Sequence, residues 1–266
     1  MAEFTLGRYL PLDSPIHKMD PRIKISAMLI MLISIFINSG WIGYAIIFVV
    51  TAAVIMIAKL NWTFIWKAMK PMFFMLFFLL IINALVVKTG FPIFTIFGWS
   101  LYSGAVTQTL YIAVRLLLMI MITTCLTATT KPMDMTLGIE DLLKPFAKIH
   151  VPTHEIAMLI SIALRFIPDL IDETQRIMKA QESRGVDMQE GKISERIGAI
   201  LSLIVPLFVS AFQRAEDLAN AMEARGYEPG EERTRYRVLK IHGSDYALLF
   251  GSFAVLAASI GLAVLL

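Results

Sequence analysis

The stretch AMEARGYEPG, residues 221–230, reads as the end of a helix. Ala221, Met222, Glu223 and Ala224 favour helix, Arg225 falls in the last turn, and Gly226 supplies the stop. Nearly the same ending occurs at AQESRGVD, residues 180–187, which closes on Ser183, Arg184 and Gly185. The two arginines stand 41 positions apart. A chain that finishes two helices in the same way invites a search for what precedes them.

Upstream of the first ending, HEIAMLISIALRFI reaches Pro168, which can open a new helix or kink an existing one. DLIDETQRIMKAQESRG follows. Its stripe at 170, 171, 174, 177 and 178 has the 3.6-residue period, with Asp172, Glu173, Arg176, Lys179 and Glu182 opposite. Upstream of the second ending, the apolar run Ile197–Val205 meets Pro206, and LFVSAFQRAEDLANAMEARG carries a stripe of Phe208, Ala211, Phe212, Ala215, Ala219 and Met222. In both copies an arginine in a Gln-Arg pair follows the proline by eight residues, Arg176 and Arg214. This is a two-copy repeat of proline, amphipathic helix, arginine and glycine stop. Each helix from proline to glycine is expected to be roughly 25–30 Å long.

The rest of the chain defines the setting. Of 266 residues, 57% are hydrophobic and 17% charged, with a mean hydropathy of +0.70. Charged residues usually make up about a quarter of a water-soluble domain. Between Pro21 and Met133, 113 residues pass without one Asp or Glu, so this region lacks solvated faces and is a membrane domain. About 20 apolar residues cross a bilayer as helix. The expected spans are 25–37, 41–58, 71–87, 103–130 and 246–266, with 154–167 and 197–212 as further candidates to enter the bilayer and 88–103 as a loop or interfacial hairpin. The first span lies behind a polar leader without a small-residue cleavage site, unlike a cleavable signal.

Of the 24 Lys and Arg, 22 fall on one side of these spans, including Arg8, Lys18, Arg22, Lys24, Lys59, Lys67 and Lys70. That side is expected to be cytoplasmic, and Trp41, Trp62, Trp66 and Trp99 suit headgroup depth. The chain thus divides into 1–130 (about four spans), a cytoplasmic region 131–245 holding the repeat, and the final span 246–266: an all-α integral membrane protein with long amphipathic helices. The net charge of +3 reads as membrane orientation, not nucleic-acid binding. Within the cytoplasmic region Pro132 and Pro152 bracket a short helix, and Thr153 is placed to cap the next.

Arginine at a helix end is favoured by the helix dipole and presents a rigid fork of donors to a partner's carboxylates or carbonyls. For one copy, a routine C-cap is an adequate reading. Two copies on matched helices suggest two docking points for a partner with two similar sites.

These residues resemble the transmembrane T component of energy-coupling factor (ECF) transporters, the EcfT or CbiQ-like family. The endings 183–185 and 224–226 are similar to that family's two Ala-Arg-Gly signatures, the first departing from it with Ser183. LGRYLPLDSPIHKMDPRIK, with Met19-Asp20-Pro21-Arg22, resembles the family's entry segment. The resemblance implies that Ser183, Arg184, Gly185, Ala224, Arg225 and Gly226 dock on two cytoplasmic ATP-binding cassette subunits, which would hold ATP and Mg, and that a substrate-capturing S component sits in the bilayer. The cargo of such systems is a vitamin or a transition metal.

Other function classes find less support. His154-Glu155 begins an HExxH zinc motif, but residue 158 is Met. His17, His150, His154 and His242 show no metal spacing. Gly191-Lys192 resembles the end of a phosphate-binding loop, yet Ile193 follows, so a separate ATPase is required if the chain powers transport, and no cofactor is expected in this chain. A self-sufficient channel or secondary carrier usually holds ionisable groups at membrane depth. Arg115 is the one strong candidate, expected to be structural and secondarily an S-component contact. Cys125 reads as an inert buried thiol. Arg233, Arg235, Arg237 and Lys240 are expected to anchor the last span at anionic headgroups, and Asp141, Asp169 and Glu173 to lie on solvated helix faces.

Overall fold

A computed structural model of the chain describes residues 9–37, 40–96, 99–145, 153–186, 193–228, 239 and 241–265. It forms two compact units, one of residues 1–142 with 239–266 and one of residues 143–238. Arg233, Arg235, Arg237, Lys240, His150, the Gly191-Lys192 pair and the cap expected from Thr153 lie outside the described residues or side chains.

The first unit begins with a single turn, α1 (Pro15–Lys18), capped by Ser14. His17 accepts a hydrogen bond at Nδ1 from the Ser14 hydroxyl at 2.7 Å, while Nε2 donates to the Leu10 carbonyl at 3.0 Å. This pairing suits the neutral imidazole, and burial pushes its pKa below the ordinary histidine value. Helix α2 (Pro21–Phe36) starts at Asp20, whose side chain accepts the Arg22 N–H at 2.9 Å, with Pro21 at the first helical position. Helices α3 (Gly40–Ile57), α4 (Trp62–Val86), α5 (Ser103–Thr129) and α9 (Gly243–Leu265) complete the membrane unit. Helix α6 (Pro132–Leu143) leads out of it.

Five described helical segments are long and apolar enough to cross a membrane: α3, α4, α5, residues 196–224 and α9. The number matches the expectation but the set does not. Helix α2 has 16 residues, about 24 Å, against a hydrocarbon core of about 30 Å. The 196–224 segment joins the set because its apolar run continues past Pro206. Helix α4 starts at Trp62 and not at Pro71, since Asn61 caps it by accepting the Thr63 N–H at 3.0 Å and a proline removes only one ladder donor. Lys67 and Lys70 therefore ride on its first turns. Between α4 and α5, β1 (Pro92–Ile96) pairs antiparallel with β2 (Trp99–Tyr102), the hairpin alternative for 88–103.

Lipid gives helices little hydrophobic reason to associate, so close packing and polar satisfaction decide. Helices α2 and α9 pack on each other, and their buried serines Ser34, Ser252 and Ser259 donate back to carbonyls of their own helices at 2.6–2.9 Å. Ile35, Ile47 and Leu118 fill the space between α2, α3 and α5. Cys125 is buried in the neighbouring cluster with Ile55 and Met121, as its apolar setting implied. Between α4 and α5 the Asn83 amide donates to the Thr109 hydroxyl at 2.9 Å, and that hydroxyl donates onward to the Ala105 carbonyl.

Replacing Thr109 by Val leaves the Asn83 amide unpartnered at depth. The expected cost is about 1 kcal/mol, read as a lower thermal midpoint in detergent. The second substitution Asn83→Leu should recover part of it, because the polar group is then gone.

Candidate functional site: two matched helix ends

The second unit is built on α7 (Thr153–Ser183) and α8 (Ile193–Ala224). Both run unbroken through their prolines, Pro168 and Pro206. At 31 and 32 residues they are about 46 and 48 Å long, well beyond the 25–30 Å expected from a start at the proline. They pack antiparallel: Asp169 and Glu173 of α7 meet Arg214, whereas Gln181, further along α7, meets Ser202, earlier on α8. A groove of about 350 Å³ between them is lined by Met158, Ile162, Leu170, Ala211, Leu218 and Met222.

The polar contacts correct one expectation. Glu173 and Asp169 are not merely solvated: both pair with Arg214, the latter at 3.6 Å, and the half-buried Glu173 accepts from the guanidinium. The α7 stripe is half-buried as its period predicts, and Asp172, Arg176, Lys179 and Glu182 are exposed. The α8 stripe is shifted. Its seam is Ala211, Arg214, Leu218 and Met222, while Phe208 and Phe212 stand 60% and 70% exposed beside each other. An ion pair at Arg214 rotates the helix relative to its purely apolar face.

Each internal proline leaves the carbonyl four residues earlier without its ladder donor. For Pro206 that carbonyl is Ser202, and the Gln181 side-chain amide donates to it at 3.3 Å. Gln181 lies just ahead of the first Arg-Gly ending, so the interruption in one repeat anchors the end of the other.

The two endings close in the same way, atom for atom. At the first, Gly185 N–H donates to the Glu182 carbonyl and Val186 N–H to the Gln181 carbonyl, both at 3.0 Å. At the second, Gly226 N–H donates to Glu223 at 2.8 Å and Tyr227 N–H to Met222 at 3.0 Å. This 6→1 and 5→2 pair is the Schellman motif, with glycine in the left-handed position at φ +80° and +68°. A Cβ at either glycine would meet nothing within 4 Å, so glycine is there for its backbone angle and not for space. Arg184 and Arg225 occupy the same place, one residue before the glycine, and both are exposed. Neither guanidinium has an ion-pair or hydrogen-bond partner among the described residues. Ser183 donates back to the Lys179 carbonyl at 2.9 Å, so it caps no partner of its own. Because the helices are antiparallel, the endings lie at different levels: Gln181 is level with Ser202, and Ala224 is roughly 33 Å further along α8.

Arg115 lies elsewhere, in α5. Its Nε and Nη2 donate to the hydroxyl of the buried Tyr44 at 3.2 and 2.9 Å, and its guanidinium sits 5.7 Å from the centre of the Phe36 ring. The charge at depth is thus carried by a tyrosine and an aromatic face. Sequence alone did not single out Tyr44, whose position has no motif around it.

Several helical segments long and apolar enough to cross a membrane, together with two long helices that end on the same exposed Arg-Gly closure, define a multi-pass membrane protein. The family described as CbiQ, cobalt transport protein, matches residues 13–236. The chain is 45% identical over 245 residues to the energy-coupling factor transporter transmembrane protein EcfT of Macrococcus caseolyticus, covering 92% of each. It is 42% identical over 258 residues to EcfT of Bacillus subtilis, 97% of each, and 39% identical over 249 residues to EcfT of Lactococcus lactis, 94% of each. The chain belongs to this family of energy-coupling factor transmembrane proteins.

Replacing Gln181 by Ala should expose the Ser202 carbonyl and cost about 1 kcal/mol, seen as faster amide hydrogen exchange at the end of α7. In a Pro206→Ala background the same substitution should have little effect, because the new N–H satisfies that carbonyl.

Proposed function

We propose that the chain is the T component of an ECF-type importer, coupling ATP hydrolysis by two cytoplasmic ATP-binding cassette subunits to uptake through a membrane-embedded S component. The observation that carries this reading is the identical closure of the two arginine-bearing helix ends. Ser183-Arg184-Gly185 docks on one ATPase subunit and Ala224-Arg225-Gly226 on the other, each guanidinium entering a groove of carboxylates or carbonyls. ATP and Mg are held by those subunits, and the cargo is a vitamin or a transition-metal ion. The relatives' name, energy-coupling factor transporter transmembrane protein, supports the same assignment.

The mechanism follows from rigidity. Closing of the ATPase pair displaces two helix ends that sit roughly 33 Å apart along α8. Continuous helices tied at Arg214 carry that displacement to the exposed apolar surface around Leu159, Val205, Phe208 and Phe212, which faces the S component and lipid. Only a difference in docking energy between the two ATPase states is needed to drive the change. The basic side of the membrane unit, and with it the N-terminus and the helix ends, is cytoplasmic in a prokaryotic cell membrane. Arg115, held by Tyr44 and Phe36, acts structurally in this scheme.

Purification of the tagged chain from native membranes should bring two ATP-binding cassette subunits with it. The double substitution Arg184→Glu/Arg225→Glu should lose them, since each reversed charge costs about 2 kcal/mol or more at a docking hot spot. A wild-type chain that purifies alone, or a double variant that keeps the same partners, overturns the proposal.

A further inference from the structure

The second unit is joined to the membrane unit at two places, where the chain leaves after Leu142 and where it returns at Leu239. One side chain reaches both. Arg22 pairs through Nη1 with Asp141 at 3.4 Å, at the end of α6, and donates through Nη2 to the Leu239 carbonyl at 3.2 Å. Its remaining donors go to Asp20, with Nε at 3.1 and 3.3 Å from the two carboxylate oxygens and Nη2 at 2.8 Å. Asp20 is buried and fixed in turn by capping α2.

The surrounding contacts close the same ring. Asp245, fully buried in the first turn of α9, accepts the His242 N–H at 2.7 Å and the Asp20 N–H at 3.4 Å. Lys24 donates to the carbonyls of His17 and Thr129 and to the Thr130 hydroxyl at 3.1–3.4 Å, tying in the end of α5. Gly138 of α6 lies so close to α2 that a Cβ there would stand 3.3 Å from the backbone of Pro21 and Arg22. Asp141, expected on a solvated face, has a side chain only 9% exposed. A planar fork with five donors can serve three acceptor groups at fixed angles, which an ammonium cannot do.

We infer that Arg22 is a positioning residue that pins the two chain crossings to each other, so that both attachments of the second unit move as one body. A loose pair of crossings would absorb motion imposed on that unit by shearing between α6 and the start of α9; a pinned pair passes it to α2 and α9. The functional part of this inference rests on the proposed coupling to ATPase subunits, whereas the pinning itself does not.

The test uses the full chain with spin labels at Leu142→Cys and Ile241→Cys, both exposed, in a Cys125→Ser background. Dipolar spectroscopy should give one narrow distance distribution, broadened by Arg22→Lys and by Asp141→Asn. Gly138→Ala, which pushes α6 away from α2 without touching a charge, should broaden it as well. In the assembly with ATPase subunits, a non-hydrolysable ATP analogue should leave the otherwise unaltered distribution in place and split that of Asp141→Asn, a response that a loss of fold stability alone does not produce. An unchanged distribution in Arg22→Lys and Asp141→Asn, or nucleotide-driven spreading with Arg22 and Asp141 intact, overturns the inference. If Arg22→Lys fails to accumulate, Asp141→Asn carries the comparison. Failure to capture ATPase subunits would count against the coupling reading alone, since the distances are measured on the chain by itself.

Discussion

A polar group carried into the bilayer has to find its partner within the protein, because no water is there to supply one. Much of this structure follows from that accounting. Buried serines and threonines turn back to carbonyls one turn earlier. Asn83 is matched by Thr109, and Arg115 by Tyr44. At the edge of the membrane unit Lys24, buried, directs its ammonium to carbonyls and a hydroxyl from two other segments. Each satisfied group also fixes a distance between elements, so polar bookkeeping sets the geometry that lipid-facing Leu and Phe leave free.

The same accounting continues in the second unit, where the open donor or acceptor is created by proline. Pro206 frees the Ser202 carbonyl, and Gln181 fills it. Arg214 bonds to Glu173 and Asp169 across the antiparallel pair. Two cross-links at different levels resist sliding and rotation better than an apolar seam does, since Leu, Ala and Met can repack with little penalty. The pair therefore behaves as a stiff element whose ends stay in register.

Much of this was legible in the sequence, and what was not depends on neighbours that the local sequence does not name. Hydrophobic period placed the long helices and the repeat, and the Arg-Gly endings are legible in eight residues, 180–187, and ten residues, 221–230. For Pro168 the structure takes the alternative of a proline within an existing helix, while the limits expected at Pro71 and Pro206 give way to longer helices. Pro71, Pro168 and Pro206 all lie inside helices, because long helices with neighbours tolerate one missing donor. Asp141 and Glu173 were read as solvated because their partners, Arg22 and Arg214, are 119 and 41 positions away. Phe208 and Phe212 were assigned to the seam because periodicity gives a face without saying which neighbour takes it. Tyr44, the partner of Arg115, carries no local signal at all.

What separates Arg184 and Arg225 from Arg22, Arg115 and Arg214 is that no described residue accepts a hydrogen bond from, or pairs with, their guanidinium groups. The three others bond to internal acceptors, and removing one would take a donor from buried Asp20, from buried Tyr44 or from half-buried Glu173. The two end arginines stand on backbone that is already fixed: the Schellman bonds hold the last turn, and glycine takes the one strained angle. A side chain projected from an ordered terminus loses less freedom on docking than one on a mobile loop, so more of its bonding energy appears as affinity. Ordering the backbone while leaving the charge unspent is what a helix end needs if it is to serve another protein and not its own fold.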